Sequence, residues 1–334
     1  MLSNKEAAGR PSSSHARPEA PFPLIRSKSY LTRDVEDKVG IDLAYGKAAA
    51  DLVNVIREAA TSISPIQYIY LQKNDLEKLP PELGLLNSLV HMDVSFNNLD
   101  ELPGLIFRDL HQLRFFGAQS NQLSRVPEEL GFCTDLTQLR LFKNSIDQLA
   151  EKLFSTLLHL ELLDVALNNL TTLPADLFLC WKLKKLYLSH NRLRALSPAI
   201  RNLRQLKHLD LSHNELQTLP KEVGNLENLL VLDVSGNKIH HLPQDVFANM
   251  CALQFLDLRR NKLSELPSLS RLESLSTLHV DDNPIEVLTP SLGELEKLET
   301  LTLDVGTSSR LQSPPKEICR QGLKAIQARL RSRQ

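Results

Sequence analysis

The sequence predicts an α/β solenoid, with a curved parallel β-sheet on its concave side and short helices or 3₁₀ turns on its convex side. Three observations lead to this prediction. Asparagines recur at intervals of 22 to 24 residues through most of the 334-residue chain, the same apolar pattern precedes each of them, and a proline usually follows. A fixed period of this length indicates stacked repeats, each of which contacts only its neighbours.

The repeated pattern is apolar-x-x-apolar-x-apolar-x-x-Asn-x-apolar. Leu206-x-x-Leu209-x-Leu211-x-x-Asn214-x-Leu216 is one copy, and the pattern is the leucine-rich-repeat signature. Its alternating apolar residues predict a short strand whose inward side chains form the core. The ten asparagines are Asn74, Asn97, Asn121, Asn144, Asn168, Asn191, Asn214, Asn237, Asn261 and Asn283.

Each repeated asparagine is expected to have a structural role, because its amide both donates and accepts hydrogen bonds. We expect it to bond the backbone of its own turn and that of the next repeat, where unpaired buried groups would cost about 1–3 kcal/mol each. The eleventh copy, from Leu298 to Leu303, has Gly306 in place of asparagine. A final repeat has no following neighbour, so this change is expected to mark the end of the stack.

The convex side is predicted from the residues after each asparagine. Leu-Pro or Val-Pro pairs recur there, and proline suits the first turn of a helix. The three 24-residue intervals contain Phe107, Phe154 and Phe247, and one 23-residue interval contains Phe178. Because protein cores are close-packed, we expect the additional residue to make room for a buried phenylalanine.

The chain divides into four predicted regions. Residues 1–36 are rich in serine, proline and charge, which is typical of a disordered tail. Residues 37–64 form a predicted N-terminal helical cap, with an amphipathic helix from Asp42 to Ala60. The repeats occupy residues 65–310, and residues 311–334 form a C-terminal helical cap that starts at Pro314-Pro315. Caps are expected because the end repeats of a solenoid expose their cores.

The charge, hydropathy and cysteine content of the sequence argue against nucleic-acid binding, membrane insertion and secretion. The formal charge of -1 gives no support for nucleic-acid binding, and no apolar run is long enough for membrane insertion. The N-terminus lacks the pattern of a secretory signal. Four widely separated cysteines favour a reducing compartment, where we expect them to pack as small apolar residues. A cytoplasmic location is therefore predicted, and a nuclear one stays open. The cysteines are Cys133, Cys180, Cys251 and Cys319.

Residue patterns that would indicate catalysis or a cofactor are missing from the sequence. It has no glycine-rich phosphate loop, no metal-ligand spacing of Cys and His, and no Ser/His/Asp arrangement. His190 and His213 occupy equivalent positions in adjacent repeats, but Ser-His-Asn is an ordinary ending for this repeat. We therefore predict a non-catalytic protein without cofactor or metal.

The variable, outward-facing strand residues form the candidate binding surface. In a parallel sheet they align in columns, with about 4.8 Å between strands. Aromatic residues and arginines on an open surface are typical of interaction hot spots. The acidic column Asp210, Asp233 and Asp257 is expected to be solvated and to match a basic partner. The predicted protein-binding residues are Tyr68, Tyr70, Phe96, Phe115, Arg140, Phe142, Tyr187, Asp210, Asp233, Asp257 and Arg259.

The N-terminal tail contains a candidate phosphorylation site. Arg26 lies three residues before Ser29, a spacing that a basophilic kinase could recognise. A phosphate on Ser29 would add a charged docking point to the tail.

The repeats resemble those of intracellular leucine-rich-repeat proteins of the Ras-associated class, which includes a Ras–Raf scaffold and plant relatives. The similarity rests on the phrase Leu-x-x-Leu-Pro-x-x-(Leu/Val/Ile) and on Ser313-Pro314-Pro315-Lys316-Glu317-Ile318-Cys319 near the C-terminus, and it covers about residues 66–331. It implies a monomeric scaffold or adaptor whose concave face binds a folded protein, in small-GTPase or phosphatase signalling. The alternative is a substrate-recruiting or regulatory subunit of a ubiquitin ligase or protein phosphatase.

Overall fold

The computed structural model describes residues 31–33, 39–46, 51–306 and 309–332. The predicted disordered tail falls outside these residues except for Leu31–Arg33, which forms a strand. The candidate phosphorylation site, Ser29, also lies outside the described residues.

The described residues form a single sheet of 13 strands that follow one another in chain order. The first two strands are antiparallel, and every later neighbour pair is parallel, which confirms the predicted solenoid. The strands are β1 (Leu31–Arg33), β2 (Val39–Asp42), β3 (Tyr68–Tyr70), β4 (His91–Asp93), β5 (Phe115–Gly117), β6 (Gln138–Arg140), β7 (Leu162–Asp164), β8 (Lys185–Tyr187), β9 (His208–Asp210), β10 (Val231–Asp233), β11 (Phe255–Asp257), β12 (Thr277–His279) and β13 (Thr300–Thr302).

The register of the sheet places equivalent residues of successive repeats side by side. Leu209 pairs with Leu232, which pairs with Leu256, and all three side chains are fully buried. Their inward direction follows from the alternation of side chains along a strand. One continuous apolar core results, running from Ile41 to Leu330, and each fully buried leucine stabilises it by about 1.5–3 kcal/mol.

The repeated asparagines form the predicted ladder, but they point toward the preceding repeat, not the next one. The Asn237 Nδ2 donates to Val234 O of its own turn and to Leu211 O of the repeat before, both at 2.9 Å. Its Oδ1 accepts the Leu216 N–H of that earlier repeat at 3.0 Å. An asparagine at position 306 would therefore bond the tenth repeat, which is present. The prediction that Gly306 replaces asparagine because no repeat follows is wrong. The Asp304 carboxylate contacts the tenth repeat at a different point, where it accepts the Asp282 N–H at 2.7 Å.

The convex side carries short 3₁₀ helices, as the Leu-Pro pairs predict. Each 23-residue interval between ladder positions contains a five-residue 3₁₀ helix, whereas the 24-residue intervals contain a four-residue one or only turns. The phenylalanines expected inside are buried, including Phe178 in a 23-residue repeat. The additional residue of the 24-residue intervals therefore changes the backbone conformation on the convex side. A buried phenylalanine does not require this residue, since Phe178 is buried without it. The 3₁₀ helices are Pro81–Leu85, Gly104–Phe107, Glu128–Phe132, Ala175–Leu179, Pro198–Asn202, Lys221–Asn225 and Pro290–Glu294.

The N-terminal cap differs from its prediction. A helix, α1, spans Leu52–Ala60, but the residues before it include β2, which pairs in parallel with β3. Asn74 extends the ladder to this strand, since its Nδ2 donates to Leu43 O at 3.0 Å. Val39 to Gly46 is thus an additional strand and turn of the repeat type. The Val39-x-Ile41-x-Leu43 alternation favours a strand.

The C-terminal cap contains two helices where one was expected. Helix α2 spans Lys316–Cys319 and helix α3 spans Leu323–Arg331. They are separated at Gly322, whose φ of 96° does not fit a helix. Helix α3 packs on the last 3₁₀ helix, Pro290–Glu294, and Arg331 Nε donates to Gly293 O at 2.6 Å.

Three of the four cysteines pack in the core, as predicted, and the fourth does not. Cys133, Cys180 and Cys319 are buried, and Cys251 is exposed on the convex side. Burial raises the pKa of the Cys133 and Cys180 thiols to about 12, so these two residues are inert apolar packing groups.

Candidate protein-binding surface

The concave face consists of the outward side chains of β3 to β13 together with the residues that follow each strand. Each three-residue strand places its first and third side chains outward and its second inward. The central side chains are accordingly buried, for example Leu139 and Leu186. The variable residues therefore form parallel columns across an open, curved sheet.

The N-terminal half of this face carries a continuous series of rings and one guanidinium group, which we call the aromatic row: Tyr70, His91, Phe115 and Arg140. The Tyr70 and His91 rings meet edge to face at 5.1 Å between centroids, and the His91 and Phe115 rings stack at 4.1 Å. The Arg140 guanidinium lies 5.5 Å from the Phe115 ring centre. Such contacts orient large side chains in advance of binding.

His91 belongs to this row but was not among the predicted binding residues. It occupies the first position of β4, next to the equivalent residues Tyr68 and Phe115. The repeat register contained this information, so His91 could have been found by following the first strand position as well as the third. Burial lowers the pKa of His91, with nearby Arg140 acting in the same direction and Asp93 in the opposite one. This shift favours the neutral form of the imidazole that stacks on Phe115.

Tyr68 does not belong to the accessible surface, which corrects its prediction as a binding residue. Its side chain is only 5% exposed. The ring lies directly over Gly40 of β2, where a Cβ atom would come within 2.1 Å of ring carbon. Strand β2 was absent from the predicted fold, so nothing in the predicted sheet covered this tyrosine.

A second row lies at the turn after each strand, where the residue before the ladder asparagine has positive φ. Phe96, with φ of 54°, is 45% exposed there. Lys73 of the preceding repeat lies between two rings, 4.8 Å from Tyr45 and 5.9 Å from Phe96. Phe142 lies two residues after Arg140, the last residue of β6, and it is half-buried. Of the two predicted residues, Phe96 is the more accessible to a partner.

The centre of the concave face combines Tyr187 with aspartates on adjacent strands. Asp164, Asp210 and Asp233 are half-buried. Burial raises the pKa of Asp164 and Asp233, and neighbouring aspartates act in the same direction. Burial also raises the pKa of Tyr187, which lies between Asp164 and Asp210.

These aspartates have a structural role that the sequence reading did not include. In each case Oδ1 accepts the backbone N–H two residues later, as Asp210 does for Ser212 at 3.0 Å and Asp233 for Ser235 at 2.9 Å. The carboxylates therefore complete the end of the strand.

Asp257 is not the solvated carboxylate that was expected at the end of this column. It is 1% exposed, and Arg259 holds it through Nε at 3.0 Å and Nη2 at 2.5 Å. The two predicted binding residues thus form an ion pair with each other. A carboxylate this deep is stabilised by a charged partner, and Arg259 lies two residues later on the same side of the strand.

A basic column lies beside the aspartates, at the other end of the same strands. Lys185 and Lys207 are exposed, and burial together with these two lysines lowers the pKa of His208. Lys184 pairs with Glu161 at 2.8 Å. The central surface therefore presents positive charge at one edge and negative charge at the other.

His190 and His213 stack with ring centres 4.3 Å apart and planes 11° from parallel. Parallel rings direct their nitrogens in the same direction instead of toward one shared ion. Within the described ranges, no group of three or more His, Cys, Asp or Glu side chains is placed to hold a metal. None of the described helices has the length and apolar character needed to cross a membrane.

Comparison with known proteins identifies the repeats. Residues 191–314 match the model "Leucine-rich repeat region", and residues 134–193 match the model "Leucine rich repeat". No curated protein matches the chain.

Solved structures agree with these family models. A leucine-rich-repeat protein of Leptospira interrogans is 28% identical with a TM-score of 0.65, over 83% of this chain and 74% of that one. The Drosophila Toll–Spatzle structure is 26% identical with a TM-score of 0.67, over 78% of this chain and 36% of that one. The PEPR1–AtPEP1 structure is 24% identical with a TM-score of 0.67, over 82% and 43% respectively. The family models, these neighbours and the asparagine ladder together identify the chain as a leucine-rich-repeat protein.

Proposed function

We propose that this protein is a non-catalytic scaffold or adaptor that binds a folded protein partner through its concave face. The observation that carries the proposal is the aromatic row, in which four side chains from adjacent strands contact one another on an open surface. Aromatic residues and arginine are enriched among the residues that contribute most to the energy of protein interfaces, and aromatic rings bury much area with little loss of side-chain entropy.

The electrostatics of the central face support the same role. Its aspartates are engaged by backbone N–H groups at the strand ends, and its basic column lies alongside them. Paired columns of opposite charge on a rigid sheet favour recognition of a complementary protein surface and steer its approach. Protein binding is the general role of this fold, and the Toll structure was determined as a complex with Spatzle.

The finer part of the proposal concerns the setting. Similarity to the Ras-associated class suggests a monomeric, cytoplasmic protein that works in small-GTPase or phosphatase signalling. The role of a recruiting subunit for a ubiquitin ligase or phosphatase is the competing proposal. It would require a second docking segment, for which the N-terminal residues 1–30 are the candidate.

Affinity capture followed by mass spectrometry tests the concave face. The variant Phe115→Ala/Arg140→Ala/Phe142→Ala removes two rings and one guanidinium group from this face. The matched control Trp181→Ala/Phe132→Ala/Arg201→Ala removes the same groups from exposed convex positions. We expect the concave variant to lose partners that the control variant retains. Equal recovery by the two variants would exclude the concave face as the binding surface.

A deletion separates scaffold from recruiting subunit. Removing residues 1–30 leaves β1 intact, which a deletion to residue 33 would not. A scaffold that acts through its concave face keeps its partners after this deletion. Selective loss of a ligase or phosphatase, with concave-face partners retained, would favour the recruiting role.

A further inference from the structure

The convex side carries large apolar side chains at two positions that are polar in most other repeats. Leu158 and Trp181 are the fourth residues before β7 and β8, and Phe132 and Leu179 are the sixth residues before β6 and β8. All four side chains are 43% to 50% exposed. From β9 onward, the same two positions hold only charged residues, asparagines and Cys251. We call the four residues the Trp181 patch.

The register of the sheet brings the members of this patch together. The pairing of β7 with β8 sets Leu158 beside Trp181 of the next repeat. The Trp181 N–H donates to Leu179 O at 2.8 Å, which fixes the turn between these two residues. Phe132 lies in the column of Leu179, with Thr156 between them. Apolar residues that are grouped over three consecutive repeats, and are not scattered singly, indicate an interaction surface.

The Trp181 ring is held in place by polar neighbours. The Lys182 Nζ lies 5.3 Å from the ring centre, and the same nitrogen donates to His159 Nδ1 at 2.9 Å. A cation over the ring orients the indole before any partner binds. Trp181 is the single tryptophan of the chain, and tryptophan is among the residues most enriched in binding hot spots.

A groove with two arginines adjoins the patch on its C-terminal side. Arg204 occupies the position of Trp181 in the next repeat, and Arg201 lies three residues before it. Among the described residues, neither arginine forms an ion pair. The Asn228 Nδ2 donates to Arg204 O at 2.8 Å and ties the two walls together. The groove has a volume of about 280 Å³ and is lined by Arg201, Asn202, Arg204, Asn225, Glu227 and Asn228.

We propose that the Trp181 patch and this groove bind a segment of a second partner protein, with apolar side chains on the patch and an Asp or Glu carboxylate at Arg201 and Arg204. Guanidinium groups bind carboxylates through paired hydrogen bonds. Glu227 belongs to the repeat after Arg204 and is therefore farther from the patch. The inference goes beyond the proposed function, because it gives the scaffold a second binding surface on the side opposite the concave face.

Tryptophan fluorescence tests the patch directly, because no other tryptophan contributes to the emission. Short random peptides without tryptophan are selected on the full chain and counter-selected on Leu158→Ala/Trp181→Ala, after circular dichroism has shown that this variant is folded. We expect the selected peptides to combine large apolar residues with Asp or Glu. They should shift the emission of Trp181 to shorter wavelength, since binding removes the indole from water. Failure to obtain peptides that cause this shift would overturn the docking surface.

Two variants of equal charge test the carboxylate contact. Arg201→Gln/Arg204→Gln removes two positive charges from the groove, and Arg192→Gln/Arg194→Gln removes two from exposed positions of the same repeat. We expect the selected peptides to bind the groove variant at least about tenfold more weakly than the wild type, and the control variant as tightly as the wild type. Replacing the Asp or Glu of the peptide by Asn or Gln should cause the same loss. Equal binding to the two variants would overturn the carboxylate contact.

Two other occupants of the patch give different results with the protein alone. A second copy of the chain would make the Trp181 emission depend on protein concentration. If residues 1–30 of the same chain covered the patch, their deletion would shift the emission to longer wavelength. Either result would overturn the assignment of the patch to a partner protein.

The concave variant Phe115→Ala/Arg140→Ala/Phe142→Ala separates this inference from the proposed function. It should bind the selected peptides as tightly as the wild type, and loss of the peptides would overturn the convex site. Failure of the convex site leaves the test of the concave face intact. The convex control variant of that capture experiment disrupts the Trp181 patch, so the concave face is judged by the proteins that only the concave variant loses.

Discussion

Asn237 and Leu216 connect two repeats through a single hydrogen bond, in which Asn237 Oδ1 accepts the Leu216 N–H at 3.0 Å. The same relationship recurs along the ladder, for instance between Asn97 and Leu76 at 3.1 Å. Each asparagine therefore completes the turn of the repeat before it. This direction means that the loss of one asparagine affects two repeats.

Asn237→Ala is expected to destabilise the protein strongly. It leaves the buried Leu216 N–H and Leu211 O without their partners, at a combined cost of about 2–5 kcal/mol in the free energy of unfolding. Urea unfolding followed by circular dichroism measures the change. Asn249→Ala, at an exposed convex position, is the control and should change the free energy by less than about 0.5 kcal/mol. Similar effects of the two substitutions would contradict the role of the ladder.

Phe154→Ala should create a cavity in the convex half of the core. The Phe154 ring is fully buried, whereas Phe132 is 50% exposed. We expect Phe154→Ala to lower the free energy of unfolding by about 3–5 kcal/mol. Phe132→Ala serves as the control, with a loss below about 1 kcal/mol. Thermal and urea unfolding both report the difference, and comparable losses would show that Phe154 is not a core residue.

Arg259→Ala should expose the dependence of Asp257 on its ion pair. Asp257 is buried and Arg259 is 42% exposed, so solvent screening reduces the effect to about 2 kcal/mol of unfolding free energy. Arg260→Ala is the adjacent control, because Arg260 pairs at 3.3 Å with Asp282, which is itself exposed. That control should lose less than about 0.5 kcal/mol. An equal loss of unfolding free energy from both substitutions would contradict the conclusion that Arg259 stabilises the buried Asp257.

His91 should make stability dependent on pH. Its pKa in the folded protein is lowered from 6.5, so below 6.5 the unfolded state binds more protons than the folded state and stability falls as the pH falls. His91→Phe keeps a ring beside Phe115 and removes this titration. As the pH is lowered from about 8 to about 5, the free energy of unfolding of the variant should therefore increase relative to that of the wild type. Urea unfolding across this range measures it, and a constant difference would contradict the burial of His91.

Much of the fold followed from the sequence because the repeat uses one physical rule many times. Leu209, Leu232 and Leu256 occupy equivalent inward positions, and their spacing in the sequence predicts that arrangement. The N-terminal cap was harder to predict, because β2 has one short apolar alternation and no ladder asparagine. Its strand forms because β3 offers a paired edge and Asn74 reaches back to Leu43.

The candidate binding surface was predicted less completely than the core. Tyr70 and Tyr187 occupy the third strand position, and both are half-buried on the concave face. The sequence could not show that Tyr68 is covered through Gly40, or that Asp257 is paired with Arg259. Both outcomes depend on side-chain directions, which periodicity does not specify.

By itself, the sequence determined the repeat, the register of the core and the column to which each variable residue belongs. These follow from the period of 22 to 24 residues, since burial of a leucine depends mainly on its place in the repeat. The tertiary structure decided which members of a column contact one another. His91 stacks on Phe115 and Arg140 lies against the same ring, because neighbouring strands bring together residues more than twenty positions apart in the chain.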